Sequence, residues 1–291
     1  MGRTISLIVA IAASFLAAGC CSCPTCTCTE APKISVFAGT IDKVAAERGV
    51  TLAEAADLLR EAGVDGFDTS FDNPKLAEYA STSMRPASIY GFINFLAPDG
   101  GRASCDAFVA AAVKYGSPRI MCVPCNFTDG RESEEEYAKM RDGLAQLVAA
   151  AKAKGVACTV EDFGGDKNPC SWSKYLKRFM QDIPDLRYAL DSGNLVYAGR
   201  GEDILDMMRF AEGRVEHVHL KDFRIGSNRD YETIGLGCVP NAKIVRAMAA
   251  KGYANWYTLE NPVGESRYED VVRQVAMVRF WCKTKEKEGG R

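Results

Sequence analysis

The sequence predicts an α/β protein built as one (βα)8 TIM barrel behind an N-terminal signal and tether, and three observations carry that expectation. Short apolar runs alternate with amphipathic stretches throughout residues 33–285, with brief connections, the pattern of a parallel sheet wrapped by helices. A chain of 291 residues with 47% apolar content can bury a core of barrel size, and no linker-like stretch divides it. Four of the strand-like runs end on a side chain able to bind a cation: Glu161 in VACTVED, Asp191 in RYALDSGN, His219 in VEHVHLKD and Glu260 in WYTLEN. An open doubly wound sheet alternates in the same way, but usually carries a glycine-rich phosphate loop after its first strand. Ala38-Gly39-Thr40 is not one.

In order, the first strand is read at 33–37. A capping box, Thr51-x-x-Glu54, opens the first helix, whose stripe of Ala55, Leu58 and Leu59 ends at Gly63. The second strand is read at 64–69 with a short helix at 73–80, the third at 88–95 with a helix at 105–115, and the fourth at 119–124. A long helix at 133–154 starts from a second capping box, Ser133-x-x-Glu136, and buries Leu144, Leu147 and Val148. Its acidic start, Glu134 to Glu136, suits the helix dipole and reads as a solvated face. Strands five to eight carry the four polar ends, with helices at 173–182, 202–212, 241–251 and 268–283.

Alternation ties those ends to one place. Side chains two apart on a strand share a face, so Val156, Cys158 and Val160 group together, opposite Thr159 and Glu161. Tyr188 and Leu190 likewise oppose Asp191, Val218 and Leu220 oppose His217 and His219, and Tyr257 and Leu259 oppose Glu260. A barrel strand needs this split, with the bulky face under a helix and polar groups inside at the C-terminal end. Separations of 30, 28 and 41 residues each leave room for one loop, helix and return. Convergence of the four on one divalent cation is therefore the functional expectation.

A formal net charge of -2, mixed in sign along the chain, excludes nucleic acid as an expected partner. The apolar run from Ile5 to Leu16 after Arg3 suits the core of a secretory signal. It ends in Leu16-Ala17-Ala18-Gly19-Cys20, which resembles a bacterial lipobox. The expected domains are thus a signal peptide at 1–20, a Cys-rich tether at 21–32 and the barrel at 33–285. The expected location is exported, periplasmic or at the cell surface, with a lipid anchor on Cys20 holding the membrane; ordinary signal cleavage is the competing reading. Cys23, Cys26 and Cys28 in the tether suit either a soft metal or a low-complexity linker. Seven further cysteines are irregularly spaced, and an odd number cannot all pair internally.

His217-Val218-His219-Leu220-Lys221-Asp222, Asp191-Ser192-Gly193-Asn194 and Leu259-Glu260-Asn261 resemble the strand-seven, strand-six and strand-eight motifs of the xylose-isomerase-like superfamily of sugar phosphate isomerases and epimerases. The resemblance covers residues 33 to about 284. It implies a metal held by Glu161, Asp191, His219 and Glu260, with Mn2+ expected first and Co2+, Mg2+ or Zn2+ as alternatives. It also implies a catalytic pair, Glu161 and Glu260, facing opposite sides of the carbon that reacts through an enediolate. Asn194, Lys221 and Arg224 are expected to bind substrate oxygens, and His217 to lie deeper in the barrel. Two departures stand out: Asn194 where family epimerases often carry His, and Gly235-Leu236-Gly237-Cys238 where many relatives carry an acid.

The function so implied is a metal-dependent isomerase or epimerase of a free small-molecule carbohydrate. A lyase or hydrolase of 3-keto-glycosides or cyclitols would use the same groups, and a carbohydrate-binding lipoprotein without turnover is the non-enzymatic alternative. Pairing of barrels into an oligomer stays open. A DNA-repair endonuclease of this fold needs a zinc cluster rich in histidine, and the chain has two histidines.

Overall fold

The period-two runs become eight parallel strands that close on themselves in a computed structural model, which describes residues 32–260, 264 and 266–284. The strands are β1 (Lys33–Phe37), β2 (Gly66–Ser70), β3 (Arg85–Ile93), β4 (Arg119–Pro124), β5 (Ala157–Glu161), β6 (Arg187–Asp191) and β7 (Val215–Leu220). After a small antiparallel hairpin, β8 (Asp222–Phe223) with β9 (Tyr231–Glu232), the barrel is completed by β10 (Trp256–Leu259). Its order is β1-β10-β7-β6-β5-β4-β3-β2, with every neighbouring pair parallel and β2 closing on β1.

Around it run α1 (Ala38–Arg48), α2 (Leu52–Glu61), α3 (Leu76–Ala80), α4 (Arg102–Tyr115) and α5 (Glu134–Ala153). The second half adds α6 (Ser173–Asp182), α7 (Asn194–Tyr197), α8 (Asp203–Phe210), α9 (Asn241–Ala250) and α10 (Arg267–Lys283). The outward strand residues, among them Ile34, Phe67, Ile89, Val160, Leu190, Val218 and Leu259, are fully buried under these helices. Each such side chain contributes about 1.5–3 kcal/mol of transfer free energy. Inside the barrel many buried residues are polar instead, among them Ser35, Asp68, Arg119, Thr159, His217 and Thr258.

Several local expectations need correction. The first helix after β1 is α1, ahead of the capped α2; it lacks a side-chain cap, and Gly39 in its first turn reads as a loop break. It buries Ile41 and Val44 and ends at Gly49 in the left-handed region, φ 65. The box at Thr51 and Glu54 is present in full. At α5 the Ser133 hydroxyl caps the Glu136 N–H, but the Glu136 carboxylate accepts from the Thr128 N–H instead of closing a box. The third strand starts three residues earlier than its apolar run, at Arg85; Pro86 is paired with Phe67, and a register shift between Phe67 and Asp68 passes over Ala87. The short β8–β9 hairpin and α7 were not expected.

The expected signal and lipid anchor (1–20, with Cys20) and the tether up to residue 31 lie outside the described residues, as do residues from 285. Among the described residues no helix is long and apolar enough to cross a membrane, and all seven cysteines there are free thiols.

Candidate active site and metal centre

Glu161 closes β5, Asp191 closes β6, His219 lies on β7 and Glu260 directly follows β10. Their strand positions put all four side chains inside the C-terminal end of the barrel, where one ligand atom from each lies within 4.8 Å of all the others. His219 Nδ1 is 2.8 Å from Glu161 Oε1, 3.5 Å from Glu260 Oε2 and 4.0 Å from Asp191 Oδ2. The Glu260 side chain is the most open of the four, at 19%.

Local structure fixes how each group is presented. Asp191 Oδ1 accepts from the N–H groups of Gly193 and Asn194 at the start of α7, at 2.7 and 2.8 Å. That leaves Oδ2 for the cluster, where it makes no aligned hydrogen bond despite full burial and stands 3.1 Å from the Lys221 ammonium. His219 Nδ1 is likewise buried without an aligned hydrogen bond, its short distance to Glu161 notwithstanding. Two buried ligand atoms without aligned hydrogen bonds, among three carboxylates and one imidazole, are what a hard or borderline divalent cation would satisfy. The donor set fits such an ion, and its identity is not fixed by these ligands.

The cluster draws positive charge. Lys221 Nζ lies 2.6 Å from Glu260 Oε1, 3.1 Å from Asp191 Oδ2 and 3.1 Å from Asn194 Oδ1. Burial works against its ammonium, yet Asp191 and Glu260 push its pKa above the usual lysine value. Burial also opposes a charged His219, but Glu161 and Asp68 hold it well above its ordinary value. Glu260 would rise on burial alone; Lys221 and His219 bring it below the usual carboxylate range. Asp191 goes the other way, raised by burial despite Lys221.

Of the residues expected to meet substrate, Asn194 and Lys221 are brought to the cluster. The Asn194 amide donates to the Asp162 carbonyl at 2.8 Å while its oxygen meets Lys221. Arg224 is not brought there: it stands exposed in the turn between β8 and β9. Its backbone N–H donates to the Asp230 carbonyl, and its side chain has no hydrogen bond or ion pair among the described residues. His217 lies deeper in the barrel, as expected, facing Thr258, Asp68 and Arg119. Burial lowers its pKa to about 4.

Three carboxylates escaped the sequence reading. Asp68 on β2 touches both histidines from below. Asp162 supports the end of β6, accepting from the Asp191 N–H and the Tyr188 hydroxyl at 2.7 Å each; burial raises it to about 7. Asp222 takes four backbone N–H groups, from Phe223 and Val239 on Oδ1 and from Gly235 and Gly237 on Oδ2. A Cβ on Gly237 would stand 2.1 Å from the Phe223 carbonyl oxygen, so the glycine-rich loop that departs from the expected acidic pattern is packed onto Asp222. Each had a faint signal, a carboxylate inside or one step beyond a strand run.

Fold and site together define a closed (βα)8 barrel with a cluster of three carboxylates and one histidine at its C-terminal end. Residues 41–279 match the model of the xylose isomerase-like TIM barrel family, and the chain belongs to that family. An inosose dehydratase from Clostridium perfringens is 39% identical over 95 residues, covering 32% of this chain and 30% of that protein. One from Geobacillus thermodenitrificans is 27% identical over 171 residues, covering 52% and 56%. The chain thus spans less than two thirds of either relative's length. In fold it is similar to an L-ribulose 3-epimerase structure, with TM-score 0.67 and 16% identity over 87% of this chain and 95% of that one.

Proposed function

We propose that this chain is a divalent-cation-dependent lyase that removes the proton beside a ketone in a small polyhydroxylated substrate and expels the neighbouring hydroxyl as water. The observation that carries the reading is the unlike bonding of the two glutamates. Glu260 Oε1 is clamped by the Lys221 ammonium, whereas the polar neighbour of Glu161 is the His219 ring. Epimerisation calls for two carboxylates that exchange roles across one carbon; elimination calls for one base and a separate group at the leaving oxygen.

A bound divalent cation would polarise the ketone and lower the cost of charge on its oxygen. Glu161 takes the α-proton and passes it to the leaving hydroxyl. One C–H and one C–O bond break, one C=C bond forms and one water departs. Lys221 stays an ammonium throughout and stabilises charge gathering on the leaving oxygen, while Asn194 holds Lys221 in place. The names of the curated relatives support an inosose, a cyclic polyol with one ketone, as the first substrate to try. An exported, Cys20-anchored enzyme would meet such compounds unphosphorylated.

Epimerisation of a free ketose is the second reading, favoured by the matching strand-end positions of Glu161 and Glu260. Metal analysis of the full chain, with NMR in deuterated water on an inosose, free ketoses and a 3-keto-glucoside, separates the two. An unsaturated product with release of water is expected. Deuterium at the α-carbon of an inverted sugar would instead establish epimerisation, and a metal-free protein without exchange on any substrate would sink both.

A further inference from the structure

Beneath the four-ligand cluster lies a second group that the elimination does not use: Asp68 on β2 and His217 on β7, both fully buried. With His219 they offer three ligand atoms within 4.8 Å of one another, so the group resembles a metal site of its own. Its hydrogen bonds point to a different role. Asp68 Oδ1 accepts from the hydroxyls of Ser35 at 2.9 Å and Thr258 at 3.2 Å. Asp68 Oδ2 lies 3.1 Å from His217 Nε2 and 3.3 Å from His219 Nε2. Both oxygens are taken, and the Arg119 guanidinium, 3.2 Å from His217 Nδ1, already supplies positive charge.

The partners place a proton on Nε2 of each ring. A guanidinium only donates, so His217 Nδ1 must accept, and the ring's proton sits on Nε2 facing Asp68 and Thr258. A carboxylate only accepts, so His219 meets Asp68 through an Nε2 proton. Its Nδ1 faces the side where Glu161, Asp191 and Glu260 converge, 2.8 Å from Glu161 Oε1 and without an aligned hydrogen bond, and would offer a lone pair there once a divalent cation takes the place of its proton. The Phe37 ring, edge-on to His219 with centroids 5.4 Å apart, limits rotation of the imidazole.

We propose that Asp68 is a positioning residue: by accepting the Nε2 proton of His219 it fixes the ring's tautomer and aims the Nδ1 lone pair at the cation held by Glu161, Asp191 and Glu260. Carboxylates behind ligand histidines act in this way elsewhere, and losing one typically weakens metal binding about 10–100-fold. Here the carboxylate, on β2, is itself anchored by Ser35 on β1, Thr258 on β10 and His217 on β7, so the orientation of His219 is set from its own strand and three others. The inference rests on the reading of the upper cluster as a metal site.

The test exploits a chain with two histidines. Long-range 15N–1H spectra of the Zn2+-loaded, histidine-labelled full chain should show His219 protonated at Nε2 and shifted by metal at Nδ1. Free-Mn2+ electron paramagnetic resonance on the full chain should show Asp68→Asn binding Mn2+ about 10–100-fold more weakly than wild type. Metal on Nε2 of His219, or a proton on its Nδ1, overturns the proposal on wild-type protein alone, even where Asp68→Asn fails to fold. Equal Mn2+ affinity of Asp68→Asn and a binding wild type defeats the role of Asp68 and leaves the metal reading standing. A wild type that binds neither ion defeats both together.

Discussion

Two groups of ionisable side chains share the barrel interior and one histidine, yet they are built to opposite rules. In the lower group each polar side-chain atom of Asp68 and His217 meets a partner. In the upper group three carboxylates crowd within reach of one point while His219 Nδ1 and Asp191 Oδ2, close to charged neighbours, make no aligned hydrogen bond. Buried charges brought together without complete pairing cost free energy. The lower group therefore holds the barrel together, and the upper group is held in place by the rest of the fold for a ligand to complete.

Removing a charge from the upper group separates these rules most sharply. Glu161→Gln should reduce turnover about 10²–10⁴-fold, the range for a lost proton-transfer group. It should leave the melting temperature unchanged or higher, because it relieves repulsion with Asp191 and Glu260. Kinetics beside thermal melts would check this, and a large fall in stability with intact turnover would reverse the assignment of the two groups. Cation binding is the next effect in size. At about 100 times its Kd, Mn2+ should add about 2.7 kcal/mol of stability, visible as a rise in melting temperature that a chelator reverses and Asp191→Asn lacks. A smaller loss is expected below: Thr258→Val removes bonds to Ser35, Asp68 and His217 and should cost about 1–3 kcal/mol in urea titrations. Those titrations need no metal, so an effect appearing only with Mn2+ present would merge the two groups into one.

The upper group was legible in the sequence for a physical reason. In each of its strands a ligand stands opposite bulky residues such as Val160, Leu190, Val218 and Leu259, so the period of two exposes it. Asp68 sits in GFDTS, where Phe67 is the one bulky residue on the opposite face and Thr69 beside it is polar, so the period of two is weak. Its partners lie 149 to 190 residues away in β7 and β10, or 33 away in β1, and no local pattern announces such contacts. The β8–β9 hairpin was illegible because two-residue strands have no period. It is shaped instead by the Asp222 carboxylate gathering four N–H groups. Helix α1 was missed for want of a capping side chain.

The smallest expected effect sits where strand β7 gives way to that hairpin. Lys221 and Arg224 lie three residues apart and looked interchangeable as substrate contacts in the sequence, but the chain turns between them. Lys221 ends inside, its ammonium within 3.1 Å of Asp191, Asn194 and Glu260, whereas Arg224 and the 77% exposed Ile225 face solvent. Lys221→Met should therefore lose transition-state stabilisation, lowering kcat and kcat/KM together, whereas Arg224→Ala should change kcat/KM by no more than about threefold and leave the melting temperature in place. Steady-state kinetics on the substrate identified by NMR would check both. A rise in KM of about tenfold for Arg224→Ala, with kcat unchanged, would mean that the arginine binds substrate and transition state alike. The hairpin would then have to fold inward over the bound substrate, and the boundary between the charged interior and the solvated rim would move outward by those three residues.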